Sequence, residues 1–163
     1  MHFFLIFLFL IFPGTAIANC AASPQDQYFC DFQILVEEIR AVGWIEEVCS
    51  EKYPHTKIGN QNAVKSWRAR YSNFISEIES QFQTIEKYWK TAPESPPQNA
   101  RTVKQIEDHL QEARLRLQQK VNSEDPVIFH KICEVYPKFL ETPKMDLENA
   151  RYQFVTTVRR GLQ

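Results

Sequence analysis

Residues 64–89, VKSWRARYSNFISEIESQFQTIEKYW, carry the clearest structural signal in the chain. Apolar side chains return at every third or fourth position, which places them on one face of an α-helix; they are Val64, Trp67, Tyr71, Phe74, Ile78, Phe82, Ile85 and Trp89. An apolar seam that persists through almost four heptads is typical of a long helix packed against other helices. The sequence therefore predicts one helix from Gln61 to Thr91, roughly 46 Å long.

The segment before this helix has the same spacing of apolar residues. Ser23 and Pro24 form an N-cap followed by a proline at the first helical position, which predicts a first helix over Gln25–Ser50. Gly43 is the one residue inside that helix that weakens the prediction, because glycine disfavours helix interiors. Pro54, His55 and Gly59 are interpreted as the break before the second helix.

Three further helices are predicted after the second. Pro93, Pro96 and Pro97 read as a stiff linker, and an apolar seam then continues through Val103, Ile106, Leu110, Ala113, Leu117 and Val121. A fourth helix starts at Asp125–Pro126, presents Phe129, Ile132, Cys133, Val135 and Tyr136, and is kinked or ended by Pro137. A fifth starts at Thr142–Pro143 with the stripe Leu147, Ala150, Phe154, Val158 and Leu162. The predicted fold is all-α: an elongated antiparallel bundle of three long and two shorter helices.

The amino-acid composition excludes several classes of protein for this chain. The 163 residues are 44% hydrophobic and 24% charged, with a net charge of −1 and only four glycines. These values are typical of a globular domain and argue against a disordered chain. The balanced charge excludes a basic nucleic-acid binder, and the few glycines disfavour phosphate-binding loops.

The N-terminus predicts export. Residues 3–12, FFLIFLFLIF, form an uncharged apolar run that is too short to span a bilayer, and Ala16-Ile17-Ala18 matches a signal-peptidase site. We therefore expect residues 1–18 to be a signal peptide cleaved before Asn19, and residues 19–163 to be a single helical domain without a transmembrane span. The predicted location is periplasmic or secreted. A lipid anchor on Cys20 is the minor alternative.

Four cysteines in an exported chain predict two disulfides: Cys20, Cys30, Cys49 and Cys133. Cys30 and Cys49 lie on one predicted helix roughly 28 Å apart, too far for a bond that needs Cα atoms within about 7 Å. The short segment after Cys20 cannot reach Cys49 either. The pairs Cys20–Cys30 and Cys49–Cys133 remain, and their spacings match no zinc motif.

Charged residues define a candidate binding surface. Residues 19–60 sum to −4, with Glu37, Glu38, Glu46 and Glu47 on the first helix, whereas residues 61–122 sum to +3. Such asymmetry favours recognition of a charged partner. The alternative is that neighbouring helices of the bundle attract each other. The candidate residues are Glu37, Glu38, Glu46, Glu47, His55, Arg68 and Arg70.

The spacing of the histidines in the sequence does not indicate a metal-binding or catalytic motif. His109 is expected at the surface, and His130 lies three residues before Cys133, which is assigned to a disulfide. We therefore predict no metal site and no cofactor. Catalytic motifs such as G-x-S-x-G are absent from the sequence, so the chain is not expected to be an enzyme.

Two stretches carry a family resemblance. CSEKYP at residues 49–54, followed by VKSWRARY at residues 64–71, resembles a group of small exported helical proteins of Gram-negative bacteria. The resemblance covers about a quarter of the chain. It implies export and a helical fold, and it implies no activity, because that group has none assigned.

The leading hypothesis is a non-enzymatic helical module, periplasmic or secreted, that presents one helix face to a protein or envelope ligand. One alternative is an inhibitor whose acidic first helix or His55 loop neutralises a cationic envelope enzyme such as a lysozyme. The other is a small hydrolase or metal-dependent enzyme that uses His55 or His130.

Overall fold

A computed structural model describes residues 24–91 and 97–161, with side chains over residues 27–87 and 104–161. These residues form α1 (Pro24–Lys52), α2 (Lys57–Arg70), α3 (Ser72–Thr91), α4 (Pro97–Ser123), α5 (Pro126–Leu140), α6 (Leu147–Ala150) and α7 (Tyr152–Arg160), with 3-10 turns at Pro54–Thr56 and Pro143–Met145. No strand occurs within those two ranges. The all-α prediction is confirmed.

The first helix is the centre of the packing. α1 contacts α2, α3, α4, α5 and α7. Its buried side carries Phe32, Leu35, Ile39 and Val42, which are almost fully excluded from solvent. The helix passes through Gly43 without interruption, so the predicted first helix is confirmed over its whole length. A helix flanked on several sides can bury a wide apolar stripe, which stabilises it more than intrinsic propensity does.

The prediction of a single second helix over Gln61–Thr91 is wrong. Helix α2 begins at Lys57, so Gly59 lies within it, and the helix ends at Arg70. Tyr71 has φ −107° and ψ 23°, outside the α-helical region, and α3 follows directly. Backbone hydrogen bonds continue across this break, from the Tyr71 N–H to the Trp67 carbonyl (3.1 Å) and from the Ile75 N–H to the Tyr71 carbonyl (2.9 Å).

Trp67, which is buried near the end of α2, is fixed by a contact outside its own helix. Its buried indole N–H donates to the carbonyl oxygen of Met145 at 2.8 Å, which ties α2 to the turn before α6. In α3, Phe74 and Ile78 are buried in the hydrophobic core. The apolar spacing indicates that each segment is a helix with a buried face, but it does not indicate whether two successive segments form one continuous helix.

The predicted fifth helix is also wrong in extent. The chain forms the Pro143–Met145 turn, the short α6 and the separate α7 instead. Asp146 caps α6 by accepting from the Asn149 N–H at 3.2 Å, and Arg151, with φ −116° and ψ 31°, separates α6 from α7. Ala150 is exposed rather than on the buried stripe, and Leu162 lies outside the described residues. The expected count of three long and two shorter helices is therefore wrong.

Prolines behave differently from the prediction in α4 and α5. Pro97 begins α4 instead of belonging to the linker. Pro137 does not end α5, which continues to Leu140, so of the two predicted alternatives the ending is wrong and the kink stays a prediction. Asp125 caps α5 as expected, accepting from the N–H groups of Val127 and Ile128 at 2.7 and 3.4 Å. Val135, expected in the core, is 47% exposed.

One predicted disulfide is confirmed. Cys49, near the end of α1, is bonded to Cys133 in α5, with Cα atoms 5.4 Å apart. Cys20 and the predicted signal peptide lie outside the described residues, so the Cys20–Cys30 pair and the cleavage before Asn19 stay predictions. Among the helices that the structure describes, none combines the length and apolarity required for crossing a membrane.

Candidate functional site

A groove of about 400 Å³ lies between α1, the end of α2, and α3. Its lining residues are Val36, Ile39, Arg40, Gly43, Trp44, Glu47, Arg68, Ile78, Glu79, Phe82 and Gln83. Two residues of the predicted binding surface, Glu47 and Arg68, are thereby brought together. The apolar residues belong to the core or pack against it, whereas the charged ones reach solvent at the rim.

Gly43 keeps the groove open along α1. A Cβ atom added at this position would meet no heavy atom within 4 Å. A methyl group at this position would therefore project into open space. Glycine in a helix interior costs about 1 kcal/mol relative to alanine. The fold itself gives no packing reason for a glycine here.

The rim of the groove carries both signs of charge. The Arg68 guanidinium lies 3.4 Å from Glu79, and Arg114 of α4 lies 2.8 Å from Glu47. Arg40 instead lies over the ring of Phe82, 5.5 Å from its centroid. Among the residues described, no carboxylate lies within ion-pair distance of Arg40.

The acidic residues on the other side of α1 are bound within the protein. Glu38 is only 5% exposed, and the Arg151 Nε donates to its two carboxylate oxygens at 2.8 and 3.0 Å. Burial raises the pKa of Glu38 to about 7, although Arg151 opposes that rise. Glu37 is partly buried and hydrogen-bonded to His109, so the expectation that His109 is a surface residue is wrong.

Glu46 and Arg70 have local contacts. The Ser50 hydroxyl donates to Glu46 at 2.6 Å, one helical turn along α1. The Arg70 guanidinium lies 5.8 Å from the centroid of the Tyr71 ring. Neither residue lines the groove. The structure therefore distributes the seven candidate residues over several faces instead of joining them in one surface.

His55 meets two residues of α5. It lies on the 3-10 turn Pro54–Thr56, and its Nε2 is 3.0 Å from the Nε2 of His130. The Glu134 Oε1 lies 3.7 Å from the same atom of His130. The three candidate ligand atoms lie within 4.8 Å of one another. We call His55, His130 and Glu134 the histidine cluster.

The histidine cluster is held by rigid neighbours. The Tyr53 ring packs against that of His130, with centroids 4.7 Å apart, and the Tyr53 hydroxyl donates to the Pro126 carbonyl at 2.8 Å. The Cys49–Cys133 disulfide joins the same two stretches of chain. Both sides of the cluster are thus fixed relative to each other before any ligand arrives.

Sequence reasoning singled out His55 and His130 but missed their juxtaposition and omitted Glu134. The available signal was the spacing of His130 and Glu134, four residues apart and so on one helix face. The third member could be found only through the fold, because His55 and His130 are 75 residues apart in sequence.

No family model, no curated protein and no solved structure matches the chain.

Proposed function

We propose that the chain is a non-enzymatic helical module that works in the periplasm or after secretion and binds a segment of a partner protein in the groove between α1 and α3. The observation that carries the proposal is the open groove floor at Gly43, where an added Cβ would touch nothing within 4 Å. A groove between helices is a common docking surface for an amphipathic segment of another protein.

The lining of the groove supports one chemistry for that segment. Its floor is apolar, formed in part by Ile39, Ile78 and Phe82. The guanidinium of Arg40 stands over Phe82 and has no carboxylate beside it in the described part of the chain. An apolar side chain followed by a carboxylate would fill the floor and pair with Arg40. Trp44 at the edge is half-buried and adds aromatic contact area, as in many binding hot spots.

Export belongs to the same proposal. It rests on the apolar leader, the signal-peptidase pattern and the resemblance to small exported helical proteins, and the Cys49–Cys133 bond is typical of an oxidising compartment. The proposal includes an elongated antiparallel bundle and the second disulfide, Cys20–Cys30. It does not include neutralisation of a cationic enzyme, because Glu37, Glu38 and Glu47 are each bonded to a cationic or histidine side chain of this protein.

The test compares two helical glycines. Gly43→Leu fills the groove, whereas Gly59→Leu places the same side chain at an exposed position of α2 that is also free of contacts within 4 Å. Immobilised wild type, Gly43→Leu and Gly59→Leu are each incubated with a cell-envelope extract, and the captured proteins are identified.

We expect a partner retained by the wild type and by Gly59→Leu and lost from Gly43→Leu. Arg40→Gln should weaken the same partner. If the wild type, Gly43→Leu and Gly59→Leu capture the same proteins in equal amounts and have the same circular dichroism spectrum, a function that depends on the groove is contradicted.

A further inference from the structure

The histidine cluster has the composition of a transition-metal site. Two imidazole nitrogens and one carboxylate are the ligand set of several catalytic zinc sites, and imidazole suits Zn²⁺, Cu²⁺ and Ni²⁺. All three ligands reach solvent: the side chains of His130 and Glu134 are 37% and 51% exposed, and His55 is exposed. An ion could therefore enter without rearrangement of the core.

The distances fit a common ion. Ligands about 2.0–2.1 Å from a tetrahedral Zn²⁺ are separated from one another by about 3.3 Å. The two measured separations, 3.0 Å between the Nε2 atoms and 3.7 Å from His130 to Glu134, lie on either side of that value. Shifts of a few tenths of an ångström bring these two pairs to that value, and the third pair, His55 and Glu134, lies within 4.8 Å and would close by at most about 1.5 Å through rotation of the exposed side chains.

The His55–His130 contact places two imidazole nitrogens at a separation that either a shared proton or a shared metal ion satisfies. Two neutral imidazoles with Nε2 atoms 3.0 Å apart need a proton between them, since otherwise two lone pairs would face each other. A metal ion takes the place of that proton and accepts both lone pairs. The Glu134 carboxylate adds the negative charge that an isolated His–His hydrogen bond does not require.

We propose that His55, His130 and Glu134 form a three-ligand site for a divalent transition-metal ion of the Zn²⁺ class, with the fourth position open to water or an external ligand. The site joins the turn after α1 to α5, beside the Cys49–Cys133 disulfide. Because its ligands come from separate elements, the bound ion links the same two stretches that the disulfide links. This site is independent of the groove, so either proposal can fail alone.

The first experiment is a calorimetric titration of the tag-free, disulfide-intact protein with Zn²⁺. We expect one ion per chain and a higher melting temperature with the metal bound, because the ion binds the folded state alone. His55→Gln, His130→Gln and Glu134→Gln should each weaken binding by at least about tenfold, since the loss of mere supporting residues already costs 10- to 100-fold.

Matched variants separate this site from general surface binding. His109→Gln removes the remaining histidine of residues 19–163, and Glu141→Gln removes an exposed acid just after α5. Both should bind Zn²⁺ as the wild type does, and Mg²⁺, which prefers oxygen ligands, should not bind measurably. Equal affinity in all variants, or no Zn²⁺ binding by the wild type, would overturn the site.

A second measurement needs no variant and keeps the proposal testable if a variant fails to fold. Long-range ¹H–¹⁵N spectra of the wild-type imidazoles, recorded with and without Zn²⁺, identify the nitrogen that binds metal. We expect Nε2 of both His55 and His130 to change while His109 stays as it was. Change at one histidine only, or at Nδ1, would refute the proposed coordination.

Discussion

The Glu38–Arg151 pair and the histidine cluster are built in similar ways but have different environments. Each joins residues far apart in sequence, 113 positions in the first case and 75 between His55 and His130 in the second. Glu38 is buried and its carboxylate is held by both Nε and Nη2 of Arg151. The cluster is open to solvent, and its ligand atoms face one another.

The difference follows from the cost of desolvation. A buried charge must find its partner within the protein, because an unpaired one costs several kcal/mol. An exposed cluster is solvated in the absence of a ligand, so it can exchange water for an ion. Surface polar groups that converge at ligand distances are therefore better candidates for function than the strongest internal ion pair.

The largest effect is expected at the covalent link beside the cluster. Replacing both Cys49 and Cys133 with serine releases a loop whose ends are 84 positions apart. The free energy of unfolding should fall by about 4 kcal/mol, because the denatured chain regains the entropy of that loop. Urea denaturation of the oxidised wild type and the double variant measures it. A loss below about 1 kcal/mol would show that the denatured chain is already constrained.

Loss of the buried Glu38–Arg151 pair should lower the free energy of unfolding almost as much. Arg151→Met at pH 8 leaves the Glu38 carboxylate buried without its cation, and unfolding should become easier by about 3 kcal/mol. Arg114→Met is the matched control, because Arg114 and Glu47 form an exposed pair with side chains 52% and 55% accessible. That control should cost less than about 1 kcal/mol. Similar losses in both variants would remove the distinction between buried and exposed pairs.

The burial of Glu38 should also make the stability of the protein depend on pH. Its folded pKa, about 7, is above the ordinary value of 4.5, so the folded state holds a proton that the unfolded state releases. The stability contributed by the protonated group is therefore fully present below pH 4.5 and is lost as the pH rises through 7.

The measurement is the stability of the wild type relative to Glu38→Gln, whose amide does not titrate. Between pH 5 and pH 7 the wild type should lose about 2 kcal/mol relative to the variant. A difference that rises with pH instead would mean that Arg151 outweighs burial and holds the carboxylate charged.

Much of the fold could be predicted from periodicity, since the first helix, the Asp125 cap and the Cys49–Cys133 bond follow from local patterns and reach. The break at Tyr71 could not, because no proline or glycine marks it and the apolar spacing continues across it. His109 was misplaced because its partner Glu37 lies on another helix, which sequence spacing does not show. The candidate groove was predicted only in part. Glu47 and Arg68 were named as separate candidates, but the groove that they both line is formed only when α1, α2 and α3 pack together.

The smallest expected effect concerns Gly43, which extends the comparison from charged groups to the backbone. Gly43→Ala adds a methyl group where nothing lies within 4 Å, so no clash opposes the gain in helix propensity. The free energy of unfolding should rise by about 1 kcal/mol. Gly59→Ala is the control, and it should gain less because Gly59 is in the first turn of α2, where helical constraints are weaker. Chemical denaturation of the two variants measures both changes.

A clear increase in the free energy of unfolding of Gly43→Ala would mean that the fold tolerates a destabilising residue that keeps the groove deep. A decrease would mean that the fold needs the glycine and that the groove is a consequence of this need.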